Sequence, residues 1–381
     1  MLRKILTFFQ KETVLSISAI LAILSMFIVH PSGKYFSYID FRTLSLLFCL
    51  MSIVAGLSEI GLFDYLAEKI LSRANSIKSI IVLLVLLCFF FSMIITNDVA
   101  LITFVPFAII ILKKMSEKQK NYWILRTVVM QTIAANLGSM LTPIGNPQNL
   151  YLYARANMSA LALIRLMLPY SIAALVLLLV WIQVAAHREP VSTTENHISE
   201  LFSIHKTKAP NQTSLIGYLI LFLICLLVVE HIIDYRISFI LVIGYIFFKN
   251  WHLFKKVDYS LLLTFTALFI FIGNLKCIPQ FNHFLISIID GHETLTAILS
   301  SQIISNVPAA ILLSGFTKNY SALIIGTNIG GLGTLIASMA SLISFKYIAK
   351  EKTTLRGKYF MMFTIANIVF LILLLLCINL L

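Results

Sequence analysis

Two short polar triplets interrupt long apolar runs, and they carry the side chains best suited to bind an ion or a small polar solute. The first is Thr96-Asn97-Asp98 and the second is Ser305-Asn306-Val307. Hydroxyl and amide oxygens suit a small cation such as Na⁺, and amide N–H groups suit a carboxylate. Asp98 is an acidic residue deep in an apolar run, and because such a charge is costly in a membrane, it predicts a coupling or substrate role. The alternative is that Asp98 only caps the helix that follows it.

Each triplet is followed by a segment that cannot be a continuous helix or is loosened by glycine. Thr142–Asn149 contains two prolines and Gly145, and the second segment contains Gly330 and Thr334. Proline removes a backbone donor and glycine frees the backbone, whereas a membrane tolerates unwound backbone only beside a polar cavity. Unwound carbonyls and helix ends are therefore predicted to hold an ion or an anionic substrate. An ordinary kinked helix is the alternative for either segment taken alone.

The composition requires these segments to lie in a polytopic membrane protein. The 381 residues are 59% apolar and 12% charged, whereas soluble proteins have about 45–50% apolar and about 25% charged residues. Polar surface could not cover this apolar excess in water, so the composition argues against soluble, disordered and secreted disulfide-linked classes. The five cysteines show no paired or metal-ligand spacing. Enzyme motifs and a nucleotide-binding loop are also missing from the sequence, so neither an enzyme nor an ATP-driven pump is predicted.

Apolar run lengths and basic residues predict the topology. Nine runs are expected to span the membrane: 14–29, 41–57, 127–141, 167–186, 215–229, 237–248, 259–272, 321–335 and 360–380. Two paired runs, 80–112 and 293–316, have arms of about 10–15 residues, or roughly 15–22 Å, and this favours re-entrant hairpins in a ~30 Å hydrocarbon core. With the N-terminus inside, most of the 29 Lys and Arg residues lie in inner segments. We expect a cytoplasmic (inner) membrane protein with its C-terminus outside and no nucleic-acid partner.

The two halves of the chain show the same order of elements. Residues 136–150 and 328–342 align without a gap, with identities at the pairs Asn136/Asn328, Gly138/Gly330, Thr142/Thr334, Ile144/Ile336 and Leu150/Leu342. We predict an inverted repeat of residues 1–186 and 214–381, joined by a cytoplasmic linker at 187–213. Each repeat is expected to contain an amphipathic interfacial helix, a hairpin (80–112 or 293–316), a broken helix (123–157 or 321–345) and a final span. Chance similarity between apolar segments is the alternative.

The polar triplets, the Thr142–Asn149 segment and a Gly-Leu-Phe segment (61–63) resemble the ion transporter superfamily. That group includes citrate and other divalent-anion/sodium symporters, arsenite efflux permeases and a sodium/proton antiporter branch, and the resemblance covers most of the chain. It implies a homodimer whose mobile transport domains move against a fixed scaffold in an elevator fashion. It also implies two cation sites, one formed by Thr96, Asn97, Thr142, Gly145 and Asn149, the other by Ser305, Asn306, Asn328, Gly330 and Thr334.

The sequence departs from that superfamily at the third position of each triplet. The symporters have Thr there, whereas this chain has Asp98 and Val307. An ionised Asp98 would repel a dicarboxylate, so the departure favours proton coupling or an uncharged substrate. We predict a secondary active transporter of a small anion, a carboxylate or an oxyanion, coupled to Na⁺ or H⁺. The alternatives are a cation/proton antiporter that uses Asp98 and a metalloid efflux permease. The expected substrate contacts are Thr96, Asn97, Asp98, Asn149, Ser305 and Asn306, with no cofactor except Na⁺ as a possible coupling ion and the lipid bilayer as surroundings.

Overall fold

The computed structural model describes residues 12–188, 208–351 and 353–380. These residues form helices and no strands, which confirms the all-α fold class. The α-helices are α1 (Thr13–Met26), α2 (Tyr35–Tyr38), α3 (Phe41–Glu59), α4 (Leu62–Leu71), α5 (Ile77–Ile95), α6 (Asn97–Leu112), α7 (Glu117–Ser139), α8 (Pro147–Ala156), α9 (Ala160–Arg188), α10 (Gln212–Val229), α11 (Tyr235–Asn250), α12 (Tyr259–Lys276), α13 (Pro279–Ile289), α14 (Glu293–Ile304), α15 (Asn306–Leu313), α16 (Tyr320–Ile329), α17 (Met339–Glu351) and α18 (Arg356–Leu380). Most of the predicted linker and the first 11 residues lie outside the described residues.

Seven helices of the described chain are long and apolar enough to cross a membrane, which supports a polytopic membrane protein. They are Phe41–Glu59, Ile77–Ile95, Ala160–Arg188, Gln212–Val229, Tyr235–Lys256, Tyr259–Lys276 and Arg356–Ile378. The short helices α4 and α13 form where the sequence predicts amphipathic interfacial segments.

The seven helices differ from the nine predicted spans at four places. α1 has 14 residues and α16 has 10, which gives about 21 Å and about 15 Å of helix against a core of ~30 Å. The predicted span 127–141 lies largely in α7, whose polar first turns exclude it from this set. In contrast, α5 has 19 residues because it begins at Ile77, after the Ser76 hydroxyl accepts a hydrogen bond from the Ser79 N–H. At about 28 Å this helix can cross the core.

The two polar triplets lie at abrupt turns between paired helices. Helix α5 ends and α6 begins at Thr96, which has a φ of 73° and a ψ of 151°. Helix α14 ends and α15 begins at Ser305, which has a φ of 74° and a ψ of 155°. A positive φ is uncommon and strained for residues with a side chain. The same strained turn therefore occurs at equivalent places in the two halves.

Both predicted broken helices are interrupted. Helix α7 ends at Ser139 and α8 begins at Pro147, a favourable first position because proline lacks the N–H that would be unpaired there. Asn146 caps α8 by accepting a hydrogen bond from the Asn149 N–H at 2.9 Å. In the second half, residues 330–338 separate α16 from α17. The helices on either side extend beyond the predicted bounds of 123–157 and 321–345, from residue 117 and to residue 351.

The helices pack in two groups. One group contains α1, α3, α10, α11 and α12, and the other contains α5–α9 with α14–α18. Within the second group the halves of the chain cross over: α8 packs on α15 and α16, and α17 packs on α6. An ion pair joins Lys113 at the end of α6 to Glu351 at the end of α17, with 2.5 Å between Nζ and Oε1. The two groups meet where α12 contacts α15 and α3 contacts α8.

Candidate functional site

Each abrupt turn is bound to the broken helix of its own half by an equivalent backbone hydrogen bond. The Asn97 N–H donates to the Gly145 carbonyl at 3.2 Å, and the Asn306 N–H donates to the Ala337 carbonyl at 3.0 Å. Gly145 and Ala337 occupy the same position in the two aligned segments. A local alignment of the sequence therefore corresponds to a pair of matched long-range contacts.

A second pair of matched contacts involves the threonines that are identical in the alignment. The Thr142 hydroxyl donates to the Met93 carbonyl, and the Thr334 hydroxyl donates to the Gln302 carbonyl at 3.1 Å. Met93 and Gln302 each lie three residues before the turn residue of their helix pair. Both threonines, predicted as cation ligands, thus fasten an unwound segment to the end of a neighbouring helix.

Three buried asparagines connect the two broken helices to each other. Asn328 donates from Nδ2 to Asn149 Oδ1 at 2.5 Å, and Asn146 donates from Nδ2 to Asn328 Oδ1 at 3.0 Å. Buried amide hydrogen bonds are strengthened by the low local dielectric and costly to break. Asn149 and Asn328, predicted separately for the two sites, therefore lie in one network. Asn146 was missed, although an asparagine directly before a proline is a recognisable start of a helix.

Asn136 connects the first turn to the second half of the chain. Its Oδ1 accepts hydrogen bonds from Asn97 Nδ2 at 3.1 Å and from the Ser338 hydroxyl at 3.0 Å. Its Nδ2 is buried and has no hydrogen-bond partner among the described residues. Neither Asn136 nor Ser338 was among the predicted site residues, although Asn136 is identical to Asn328 in the alignment.

Asp98 stands at the start of α6 with an unsatisfied carboxyl oxygen. Its Oδ1 is buried and has no hydrogen-bond partner in the described part of the chain. In the second turn, Val307 holds the same place, and the side-chain oxygen of the preceding asparagine accepts the N–H in both turns, at 3.0 Å for Asp98 and 2.9 Å for Val307. Because valine makes the same turn, the carboxyl group is not needed to shape it. An unpaired buried carboxylate oxygen is costly, and a bound proton or cation would remove that cost.

An amide side chain fills the unwound carbonyls of the first break. Asn149 donates from Nδ2 to the carbonyls of Met140 at 3.0 Å and Thr142 at 3.1 Å, with the Ser139 carbonyl at 3.5 Å. These are backbone oxygens of the kind that a small cation would need. In this arrangement an N–H₂ group occupies the centre of the carbonyls.

Gln302 takes the corresponding role in the second break. Its Nε2 donates to the carbonyls of Gly330 at 2.8 Å and Leu332 at 2.9 Å, and its Oε1 accepts from the Thr334 N–H at 3.0 Å. Gly333 permits this close approach, because a Cβ at this residue would lie 2.2 Å from Gln302 Oε1 and its φ is 105°. Gln302 was missed by the sequence, since a glutamine one turn before a helix end carries no signal of a contact about 30 residues away.

The predicted site residues are thus brought together in part. A connected network contains Asn97, Gly145, Asn149 and Asn328, extended by Asn136 and Asn146. Gly330 and Thr334 share Gln302. Thr96 and Ser305 supply the strained turns, and the buried Ser305 hydroxyl also lies 3.4 Å from the Ala337 carbonyl. Each turn is therefore held by its own half and connected to the other.

Comparison with known proteins identifies the family. A family model described as citrate transporter matches residues 5–320. The chain is 34% identical to an uncharacterised transporter of Methanocaldococcus jannaschii over 332 residues, which cover 87% of this chain and 87% of the relative. It is 32% identical to the inner membrane protein YbiR of Escherichia coli, with coverage of 85% and 84%. A 46 kDa membrane protein of Mycobacterium leprae is 21% identical over 90% of this chain and 87% of its own length. The chain is a membrane transporter of the citrate transporter family, within the ion transporter superfamily that its motifs resemble.

Proposed function

We propose that the protein is a secondary active transporter of a small carboxylate or oxyanion, and that protons drive it through Asp98. The observation that carries the proposal is the buried, unpaired Oδ1 of Asp98 beside a turn that needs no acid. Proton binding neutralises the carboxyl group, and this supplies a reason for an acidic residue at a membrane-embedded turn.

The transport cycle that we propose is alternating access by two inverted repeats with re-entrant hairpins. Support comes from the matched turns at Thr96 and Ser305 and from the matched hydrogen bonds of Asn97 and Asn306. Paired broken segments at corresponding places are typical of carrier binding sites. The predicted orientation, with the N-terminus inside an inner membrane, belongs to the same proposal and agrees with the description of the Escherichia coli relative.

The two helix groups are candidates for a scaffold and a transport domain. In this proposal the group with both turns, α5–α9 and α14–α18, moves against the group of α1, α3 and α10–α12. Dense hydrogen bonding inside the first group, from Asn97 to Asn328, favours motion as one body. An elevator-type displacement and a homodimer, both implied by the superfamily resemblance, complete this picture.

An anion fits the polar groups around the turns. Helices α6 and α15 both begin at a turn asparagine, and a helix N-terminus carries a partial positive charge. Asn136 Nδ2 adds a buried amide donor without a partner among the described residues. A carboxylate or oxyanion would accept from such donors, whereas a protonated Asp98 would no longer repel it.

We propose the proton in preference to Na⁺ because amide groups fill the carbonyls of both breaks. Asn149 donates into the first set and Gln302 into the second. A sodium ion would have to displace an N–H₂ group from each set before it could bind the backbone oxygens.

The sodium-free arrangement leads to a stability prediction for Gln302→Ala. Removal of this amide leaves the Gly330 and Leu332 carbonyls and the Thr334 N–H without it, so we expect a loss of about 2–3 kcal/mol of stability. Thermal unfolding of purified protein in detergent, with Na⁺ or choline as the cation, measures both effects. Wild-type protein should show the same melting temperature in both salts. Gln183→Ala, at an exposed glutamine bonded to Lys78, is the control and should change little. Stabilisation by Na⁺ in wild-type protein would contradict the prediction.

The direct test of the proposed function is transport by proteoliposomes. Vesicles with an alkaline interior, placed in acidic buffer, should accumulate at least one anion from a panel of citrate, succinate, sulfate and arsenite. Accumulation should collapse when a protonophore removes the gradient and should not need Na⁺. Failure to move any carboxylate or oxyanion under proton and sodium gradients would reject the proposal.

The same Asp98 geometry supports a second candidate, a cation/proton antiporter. In that case a metal cation would replace the proton at Oδ1. Addition of Na⁺ or K⁺ to acid-loaded vesicles, without any anion substrate, would then release protons. Proton release on cation addition identifies this candidate, and anion accumulation without such release identifies the first.

A further inference from the structure

A groove that is separate from the turn network lies on the surface between α9 and α18. Its cavity volume is about 530 Å³, within the range of about 300–1,000 Å³ typical of small-molecule sites. The groove is lined by apolar side chains of both helices, among them Trp181, Met361, Phe370 and Leu373, and by Arg126 of α7. One charged residue therefore stands in an otherwise apolar channel.

The groove runs along the two helices for about the depth of one leaflet. Helix α9 ends at Arg188 and α18 begins at Arg356, and both helices are candidate spans. From Met361 to Leu373 the rise along α18 is about 18 Å, against about 15 Å for half of a ~30 Å hydrocarbon core. The side chains along its rim are exposed, for example Val180 at 54% and Ile365 at 57%. In a membrane these residues face the lipid chains.

Arg126 is held in place beside the groove. Its guanidinium carbon lies 3.5 Å from the centre of the Tyr122 ring, and its Nη1 donates to the Tyr122 carbonyl at 3.4 Å. The Tyr122 hydroxyl in turn donates to the Ala185 carbonyl near the end of α9 at 3.2 Å. Stacking on an aromatic ring and pairing with phosphate in a planar fork are both characteristic of arginine.

Further basic residues surround the same end of the groove. Arg188 at the end of α9 and Arg356 and Lys358 at the start of α18 are all exposed. Basic pockets between membrane helices bind anionic headgroups. The charge is therefore at one end of the groove, and an apolar channel of leaflet depth extends from it.

We propose that this groove, which we name the α9–α18 groove, binds an anionic phospholipid of the leaflet on the basic side. One acyl chain lies in the channel between Trp181 and Leu373, and the headgroup phosphate pairs with Arg126. Length, apolar lining and charge complementarity at a single end together fit a phospholipid. This inference goes beyond the transport reaction and does not depend on it.

Lipid titration of the purified protein tests the proposal. Delipidated protein in a neutral detergent is titrated with phosphatidylglycerol or phosphatidylcholine that have the same acyl chains, with binding measured by native mass spectrometry. Wild-type protein should bind phosphatidylglycerol at least about five-fold more tightly, which corresponds to about 1 kcal/mol from one basic residue. Arg126→Gln should remove that preference.

Two further variants separate the parts of the proposal. Arg165→Gln, at an exposed residue near the other end of α9, should keep the full preference. Ala366→Leu narrows the groove without a change in charge and should weaken both lipids about equally. The proposal fails if Arg126→Gln retains the preference or if Arg165→Gln loses it as fully. It also fails if Met361→Cys forms disulfide-linked dimers in membranes, because a second copy would then cover the groove.

Discussion

Replacement of Asp98 by Asn is expected to abolish proton-driven accumulation of the anion while the protein still folds. The variant keeps the size of the side chain and removes the group that binds the proton. Coupling between ligands in proteins is typically worth about 1–3 kcal/mol, or about 5- to 150-fold. We therefore expect uptake driven by a pH gradient to fall by a factor in this range, to the level of liposomes with an equal pH on both sides.

The fold should survive because the second turn already lacks the acid. Val307 occupies the place of Asp98 and its N–H makes the same hydrogen bond to the preceding asparagine. Asp98→Asn should also stabilise the protein against heat at neutral pH, since it removes an unpaired carboxyl oxygen from a buried position. A variant that melts well below wild-type protein would contradict this account of the turn.

The measurement compares driven uptake with exchange at equal pH. In Asp98→Asn the driven component should disappear, and exchange of labelled for unlabelled anion should continue and become independent of pH. Asp64→Asn is the matched control: Asp64 is a partly buried acid on α4, where burial raises the pKa of its carboxyl group, and it lies outside the turn network. Driven uptake by Asp64→Asn should resemble wild-type. Unchanged driven uptake in Asp98→Asn would exclude Asp98 as the proton carrier.

Sequence reasoning located the interruptions better than it located their partners. The triplets at 96–98 and 305–307 and both helix breaks could be predicted, because proline, glycine and polar residues inside apolar runs are local signals. Gln302 and Ser338 were missed, because each acts through a contact set by the packing of α14 and α17. The cation ligands were assigned from residue types alone, and residue types do not indicate that Asn149 donates into the carbonyls of its own break.

Span lengths were misjudged for a related reason. Hydropathy measures how well a segment dissolves in lipid, whereas the length of a helix depends on its caps and breaks. α16 ends after 10 residues at a glycine-rich break, although the apolar run continues to residue 335. α5 gains three residues over its predicted start through the Ser76 cap.

A methyl group at Gly145 is expected to separate the first turn from its broken helix. A Cβ at this residue would lie 2.1 Å from the Ser139 carbonyl oxygen, and the atoms it meets are backbone rather than flexible side chain. The unwound segment would have to move, and the Gly145 carbonyl that accepts the Asn97 N–H would move with it. We expect Gly145→Ala to destabilise the protein by about 1–3 kcal/mol, the usual cost of overpacking, and to reduce transport more than its stability loss explains.

The repeat supplies a comparison within the same chain. Ala337 accepts the equivalent hydrogen bond from Asn306 and carries a methyl group without conflict, so the constraint at Gly145 comes from the local packing on Ser139 and not from the turn design itself. Gly244→Ala in α11 is the matched control, because a Cβ there meets no atom within 4 Å. Alanine in a helix interior is favoured over glycine by roughly 0.5–1 kcal/mol, so this variant should be as stable as wild-type protein or slightly more so. If Gly145→Ala transports and melts like Gly244→Ala, the bond between the first turn and the broken helix is not required for the cycle, and the matched contacts of the two halves would be a feature of the fold alone.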